Sequence, residues 1–450
     1  MKKPVVVYDV NGASHELRDV IGEGGQGRVW RTTDGRRIVK CLFAAGAPET
    51  LRRRLAFVRG LDLAGLHVAR PIALLRAPAV GYVAEFLADM VAARTLQAPP
   101  RSASLTGWYL ATGGLRRRLR LLAHAGETLA ALHALGLAYG DLSPANVFVS
   151  ASVDHHEAWL IDLDNLRHDS VSSETVATPG YGAPELISGR RGATSLSDAW
   201  AFAVLVHQTL RLVHPFVGDL VAEGEPELEE DAFAARLPWI EHSTEDHNRA
   251  TGGLPREVVF NDRLLELARR TFESPGHAPT GRPSVSAWVD RLHSAADQTL
   301  RCRECAGTYF AAAEACPWCD RPRDRFVRVI VRRWEPGRGV VGSDVQPPVA
   351  RLMVGDREIV DLSARITEGR AGPRARASQG AIARRERGLF VQSAPGVTWF
   401  TAPTKAPPTE GARVLPERGA TLPTEGDGWR LHFGPLDEPH RVAIVREVAG

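Results

Sequence analysis

Apolar and polar positions change rhythm several times along this chain, and each change marks an element. From His15 to Lys40, "HELRDVIGEGGQGRVWRTTDGRRIVK" reads as a strand, a glycine-dense turn, a second strand, a tight turn at Asp34-Gly35 and a third strand. Short runs rich in β-branched and aromatic residues, bounded by Gly and Asp-Gly, favour extended pairing. "APETLRRRLAFVRGL" then reads as a helix whose only acid is Glu49, and "GYVAEFLADM" as an apolar strand passing into a connector. Further on, "LRRRLRLLAHAGETLAALHALG" has a helical period, with Leu119, Leu122, Leu129, Leu132 and His133 tending to one side. "AWLIDLDNL" supplies a buried-looking strand, "SDAWAFAVLVHQTL" a helix, and the acidic run "EGEPELEED" a solvated loop. Beyond residue 321 the helical period is gone. "RVIVRRW", "ARLMVG", "REIVDL", "GLFVQS", "VTWFTA" and "WRLHFG" are short strand-like runs between Gly/Pro turns, the pattern of an all-β sandwich or small barrel.

Composition narrows this picture without redirecting it. At 450 residues, 44% apolar and 24% charged, the chain has the make-up of a soluble globular protein of two or three domains. A net charge of +3 gives no bulk attraction to nucleic acid. Asp9 interrupts the N-terminal apolar triplet before a signal-peptide core develops, and the longest apolar run is too short to span a bilayer. The expectation is a cytoplasmic protein with no membrane contact.

Four of the five cysteines, Cys302, Cys305, Cys316 and Cys319, form two C-x-x-C pairs. Each pair can present two thiolates from one turn, and together they complete a tetrahedral S₄ shell suited to a structural Zn²⁺. A segment this small should need the metal to fold. Cys41, directly after Lys40, reads as a small buried residue.

Lys40 is the residue whose type calls for a reason. Four of the 56 basic residues are lysine (Lys2, Lys3, Lys40 and Lys405), which leaves 56 − 4 = 52 arginines. Lysine is a compact point charge on a flexible stem, whereas arginine is a planar fork. Upstream of Lys40, Gly22, Gly24 and Gly27 stand at G-x-G-x-x-G spacing, followed by Val29. Backbone N–H groups of such a loop can lie over a phosphate chain. A dinucleotide fold would place a helix directly after the glycines, but strand-like residues follow here.

Strand, glycine loop, strand, turn and strand with lysine resembles the nucleotide-binding lobe of protein kinases. "LAYGDLSPANVFV" resembles the kinase catalytic loop, which puts Asp141 in the catalytic-base place and Asn146 in a metal place. Asp162 of "WLIDLDNL" matches the aspartate that holds Mg²⁺, with Asp164 as the competing candidate. In "TPGYGAPEL", Thr178 takes the place of the threonine near the catalytic aspartate, and Ala183-Pro184-Glu185 resembles the A-P-E element. Asp198 resembles the buried aspartate that braces the catalytic loop, and Arg282 the partner of Glu185. By the same resemblance Glu85 and Leu87 offer backbone groups to adenine, with Ala84 at the back of the pocket and Ile38 bulkier than the usual alanine.

The resemblance implies an α+β, bilobal kinase-like domain of bacterial serine/threonine type over residues 15–297, with a small lobe to about 88 and a large lobe from about 89. Residues 1–14 form an N-terminal strand or extension, 298–321 a zinc-ribbon-like module, and 322–450 a β-rich domain, either a sandwich or forkhead-associated-like. It implies ATP with Mg²⁺ or Mn²⁺, and transfer of the γ-phosphoryl group to protein hydroxyls, the chain itself included. By analogy with kinases carrying a C-terminal zinc ribbon, phosphatase or stress- and defence-system partners belong to the same expectation.

Four departures qualify it. Tyr139-Gly140 replaces His-Arg, which implies switching without activation-segment phosphorylation. Ser143 replaces a lysine that contacts the γ-phosphate, and Leu163-Asp164 replaces Phe-Gly. The helix that should pair with Lys40 offers only Glu49, in its first turn, where the helix dipole also favours an acid. These departures keep open a pseudokinase scaffold that binds ATP without turnover. The sixteen arginines against eight acids in residues 321–400 keep open a nucleic-acid adaptor, beside the blander reading of a solvated basic surface.

Overall fold

In the computed structural model all residues are described except 1–4, 26, 44–47, 170–176, 274–277, 343–346, 387, 405–410, 425–427 and 449–450. Lys2, Lys3 and Lys405 therefore lie outside the described residues, as does the stretch just before Thr178. The chain forms two compact units. One comprises Met1–Ala98, His124–Gly253 and Glu266–Trp288, the other Pro99–Ala123, Leu254–Leu265 and Val289–Gly450.

The first unit opens with a six-stranded sheet of β1 (Val5–Tyr8), β2 (Ser14–Gly24), β3 (Gly27–Thr32), β4 (Arg37–Leu42), β5 (Ala73–Leu74) and β6 (Gly81–Glu85), in the order β1-β2-β3-β4-β6-β5. Val5–Tyr8, within the stretch read as an N-terminal strand or extension, is an edge strand of this sheet, with Val5 opposite Leu17. Register places Lys40 between Val29 on β3 and Tyr82 on β6. Helix α1 (Pro48–Gly60) buries Leu55 and Val58, and Leu55 packs with Tyr82 and Ala84. Below the sheet lie the hairpin strands Val147–Ser150 and Ala158–Leu160 and the helix Ser195–Arg211, buried along most of its length. Thr194 opens that helix with a capping box, its side chain accepting from Ser197 N while Ser197 answers the cap's own N–H.

The acidic run differs from its reading as a loop. Pro226–Phe233 is a helix with Pro at its first position and Glu227 and Glu229 in its first turn. A fixed φ, a missing N–H and early acids all favour a helix start.

In the second unit, the strands Thr299–Arg301 and Thr308–Phe310 pair around the cysteine segment. After it, among the described residues, seven- and four-stranded antiparallel sheets share a core of Val327, Val329, Leu352, Leu362, Ile382, Val391, Trp399, Leu431 and Val445. This is the expected sheet-rich C-terminal region. Its longest pairing joins Phe326–Glu335 to His440–Val448, a strand missing from the sequence-based reading. Arg116, in the first turns of the helix Gly114–Ala134, ties this unit together. It donates from Nε to Thr299 Oγ1 and from Nη2 to Thr299 O, both at 2.6 Å, and from Nη1 to Glu358 Oε1 at 2.7 Å.

His207 lies on the buried helix of the first unit, and burial followed by the Arg211 charge pushes its pKa down to about 3. The unfolded chain takes up this proton near pH 6.5 while the fold refuses it. The imidazole's contribution is thus complete above that pH and is lost as pH falls toward 3. His207→Gln should therefore flatten the fall of unfolding free energy between about pH 6 and pH 4 by about 1.4 kcal/mol per pH unit. Urea unfolding across that range measures it; an unaltered slope would mean the imidazole is already charged in the fold.

Candidate active site and cysteine cluster

Lys40 enters the site from the middle of β4, on the face that carries Ile38 and Leu42 toward α1. Its side chain is 7% exposed, and its Nζ donates to Asp162 Oδ1 and, at 2.6 Å, to Asp164 Oδ2. Burial by itself would depress the ammonium's pKa, but the Asp164 and Asp162 charges outweigh it and hold the pKa up. Burial and then the Asp162 charge push Asp164 up to about 7, against the pull of Lys40. Glu49, the acid available from α1, stands elsewhere. Its side chain is 71% exposed, 3.9 Å from Arg53 one turn along the helix.

Asp162 follows the strand Ala158–Leu160 and has left-handed backbone angles, φ 58° and ψ 61°, at the head of the 3₁₀ turn Leu163–Asn165. Aspartate is among the few side chains that tolerate this region. The turn brings Asp162 and Asp164 to the same ammonium.

The loop after the strand Leu137–Ala138 carries Asp141. Asp198, 2% exposed, accepts the N–H of Tyr139 at 2.7 Å and that of Gly140 at 2.9 Å, and His133 Nε2 lies 3.1 Å away. Gly140 has φ +86°, and a Cβ there would stand 3.1 Å from Asn165 O. The position thus needs glycine, the physical reason no arginine occupies it. Tyr139 hydroxyl donates to Ile161 O, and Ile161 N donates to Asn146 O at 3.0 Å. The loop and the strand bearing Asp162 are thereby stitched together.

Asn146 Nδ2 donates to Asp141 O at 2.9 Å, which leaves the amide oxygen on the other side. Thr178 Oγ1 donates to Asp141 Oδ1 at 2.8 Å. Burial raises the Asp141 pKa, the Thr178 hydrogen bond lowers it in part, and the Asp162 charge adds to the rise. Ser143 is buried within the loop, its carbonyl accepting from Asn146 N at 3.0 Å. Glu185 and Arg282 form a buried two-bond pair, both contacts 2.7 Å, with the guanidinium over the Trp200 ring.

The glycines fall into different roles. A Cβ on Gly27 would lie 2.4 Å from Cys41 O, so this glycine serves the close approach of β3 to β4. Gly22 would meet Val29 at ordinary contact distance, and Gly24 has open space around it. Glu85 and Leu87 line a cavity of about 800 Å³ together with Arg31, Phe86, Ala88 and Trp159. Lys40, Asp141 and Asp162 are not among its walls.

Two signals went unread in the sequence. The buried acid at 164, read only as a competing metal ligand, demands a partner, and Lys40 is that partner. Tyr139 was counted only as a missing histidine, although a buried phenol also needs a hydrogen bond.

The four cysteine sulfurs lie within 4.8 Å of one another, with Cys302–Cys319 and Cys305–Cys316 both at 3.6 Å. A tetrahedral shell with Zn–S bonds of about 2.3 Å requires sulfurs about 3.8 Å apart, whereas a disulfide would bring them to about 2.05 Å. The two turns repeat one design. Cys302 N donates to Gly307 O and Ala306 N to Cys302 O; Cys316 N donates to Arg321 O and Asp320 N to Cys316 O. Ala306 and Asp320 both have positive φ, 59° and 58°. The donor set and spacing fit a structural zinc, which all four thiolates would hold.

Fold and site together are those of a kinase-like domain, and a protein-kinase family model matches part of it. The family described as "Protein kinase domain" matches residues 116–275, and the "Lipopolysaccharide kinase (Kdo/WaaP) family" matches residues 12–174. Among similar proteins is the DNA damage-responsive serine/threonine-protein kinase RqkA of Deinococcus radiodurans, 29% identical over 61% of this chain and 43% of the relative. Others are the serine/threonine-protein kinase pkn2 of Myxococcus xanthus, 35% identical over 35% of this chain and 18% of the relative, and the protein kinase YegI of Escherichia coli, 24% identical over 71% and 50%. The chain thus has bacterial serine/threonine-kinase homologues and spans half or less of the length of each of these three. Among the described residues no helix is long and apolar enough to cross a membrane.

The cysteine cluster generates a direct test. Purified protein should hold about one equivalent of zinc, and Cys316→Ser should lose most of it. The segment 298–321 should then become protease-sensitive. Metal-free protein whose segment stays equally protected would remove zinc from the account.

Proposed function

We propose that the chain is a serine/threonine-type protein kinase that transfers the γ-phosphoryl group of ATP to a protein hydroxyl. The observation that carries this is the convergence of Lys40, Asp141, Asn146 and Asp162, with Asp141 held by Thr178. Lys40 would neutralise the nucleotide phosphates, and the open turn at Gly24 would cover them with backbone N–H groups. Asp162 and the Asn146 amide oxygen would hold Mg²⁺ or Mn²⁺, a hard ion that prefers oxygen ligands and supplies charge neutralisation at the phosphates. Asp141 would orient the acceptor hydroxyl and take its proton, a role that a raised carboxylate pKa assists. Positioning and electrostatics would supply most of the acceleration. In this reading the zinc module and β-rich domain serve partner recognition or regulation.

The ion pair of Lys40 with Asp164 speaks against a pseudokinase, since the carboxylate missing from α1 is supplied from another element. The match of residues 12–174 to lipopolysaccharide kinases favours a second acceptor class, a carbohydrate hydroxyl, approached by the same chemistry.

Incubation with labelled Mg-ATP, alone and with a generic basic protein, tests the reading. Asp141→Ala and Lys40→Met should each lower transfer by about a hundred-fold or more. Prior phosphatase treatment should leave the rate unchanged, because Gly140 stands where the phosphate-binding arginine would be. Nucleotide binding with no transfer to protein or sugar hydroxyls would instead establish a scaffold.

A further inference from the structure

We infer that Asp164 is the permanent counter-ion of Lys40, taking over the positioning task that the helix glutamate performs in the protein-kinase pattern. The inference deepens the proposed function and rests on it for its kinetic consequences, though not for its structural ones.

Three observations carry it. The inward face of α1 is hydrocarbon: Leu55 and Val58 are the buried residues, and the helix's one acid is turned to water beside Arg53. Lys40 and Asp164 are each 7% exposed at the side chain and 2.6 Å apart, while Asp162 is 26% exposed. Asp164 sits in the 3₁₀ turn that also delivers Asp162, at the position where the family pattern carries glycine. A buried ammonium needs a carboxylate that stays with it. Asp162, more exposed and assigned to the metal, must be free to exchange partners; Asp164 need not.

The consequence is mechanistic. With nucleotide and metal bound, Asp162 would hold the metal and Lys40 would reach the phosphates, with the Lys40–Asp164 contact kept. Lys40 is then set whenever the turn Leu163–Asn165 is formed, and a displacement of α1 cannot release it. In this protein the lysine's anchor and the metal ligand move as one unit.

The scarcity of lysine makes a direct test practicable. With four lysines in the chain, a spectrum of ¹⁵Nζ-labelled lysine should show one slowly exchanging ammonium, assigned to Lys40 by its absence in Lys40→Met. Asp164→Asn should abolish that signal, while Asp164→Glu and Glu49→Gln should retain it, with circular dichroism showing each variant folded. In kinetics, Asp164→Asn should raise KM for ATP about tenfold or more and lower kcat as well, with Asp164→Glu recovering most of the loss and Glu49→Gln matching the parent. A signal that survives Asp164→Asn, or disappears in Glu49→Gln, overturns the inference. The spectrum needs no turnover. A parent that transfers no phosphoryl group but shows the Asp164-dependent signal would refute the proposed activity and leave the ion pair standing.

Discussion

An ammonium withdrawn from water is the constraint around which the first sheet and the turn Leu163–Asn165 are arranged. Removing one charge from solvent costs several kcal/mol, and a single carboxylate seldom repays it unless the geometry is good. Here one turn supplies two carboxylates, and the register of β4 between β3 and β6 sets how deep the ammonium lies. The left-handed backbone at Asp162 is a local cost of the same arrangement, since it lets residues 162 and 164 reach one atom. Counted formally, Asp141, Asp162 and Asp164 against Lys40 leave a charge of −3 + 1 = −2. A divalent cation held at Asp162, as proposed, would offset that charge.

The second organising element is Asp198, which grips two consecutive backbone N–H groups and so fixes the loop that carries Asp141. Two bonds to one buried carboxylate define the path of the chain more tightly than side-chain packing alone could. The departures at Tyr139 and Gly140 follow from this path. Gly140 accepts a positive φ that an arginine would resist, and the Tyr139 hydroxyl extends the bracing to Ile161, beside Asp162. Contacts inside the fold thus brace the loop.

The sequence made the kinase-like lobes legible because their elements are local. A glycine turn flanked by β-branched residues and a long 3.6-period helix each declare themselves within one window, and C-x-x-C pairs declare a metal shell. What stayed hidden depends on partners distant in the chain. Asp164 and Lys40 are 124 residues apart, so nothing near either one announces the pair. The strand His440–Val448 was missed for a different reason. Val442, Ala443, Ile444 and Val445 form an unbroken apolar run, with Ala443 and Val445 in the shared core, so the alternation that marks a half-exposed strand is absent. The acidic helix Pro226–Phe233 was obscured by its charge, although Pro226 and the acids after it were helix-start signals in plain view.

The chain's preference for arginine now has a structural meaning, and so does its exception. Arg282 holds both oxygens of Glu185, Arg211 reaches Glu241 and the carbonyl of Gly252, and Arg116 joins Thr299 to Glu358. Each is a junction meant to stay closed, and a planar fork that bonds two or three acceptors at once makes it so. In the proposed reaction Lys40 would meet a different demand, because its ammonium would have to release Asp162 to reach a phosphate while keeping Asp164. A point charge on a flexible stem can make that exchange by small rotations. A guanidinium locked face to face with two carboxylates would have to break both contacts together.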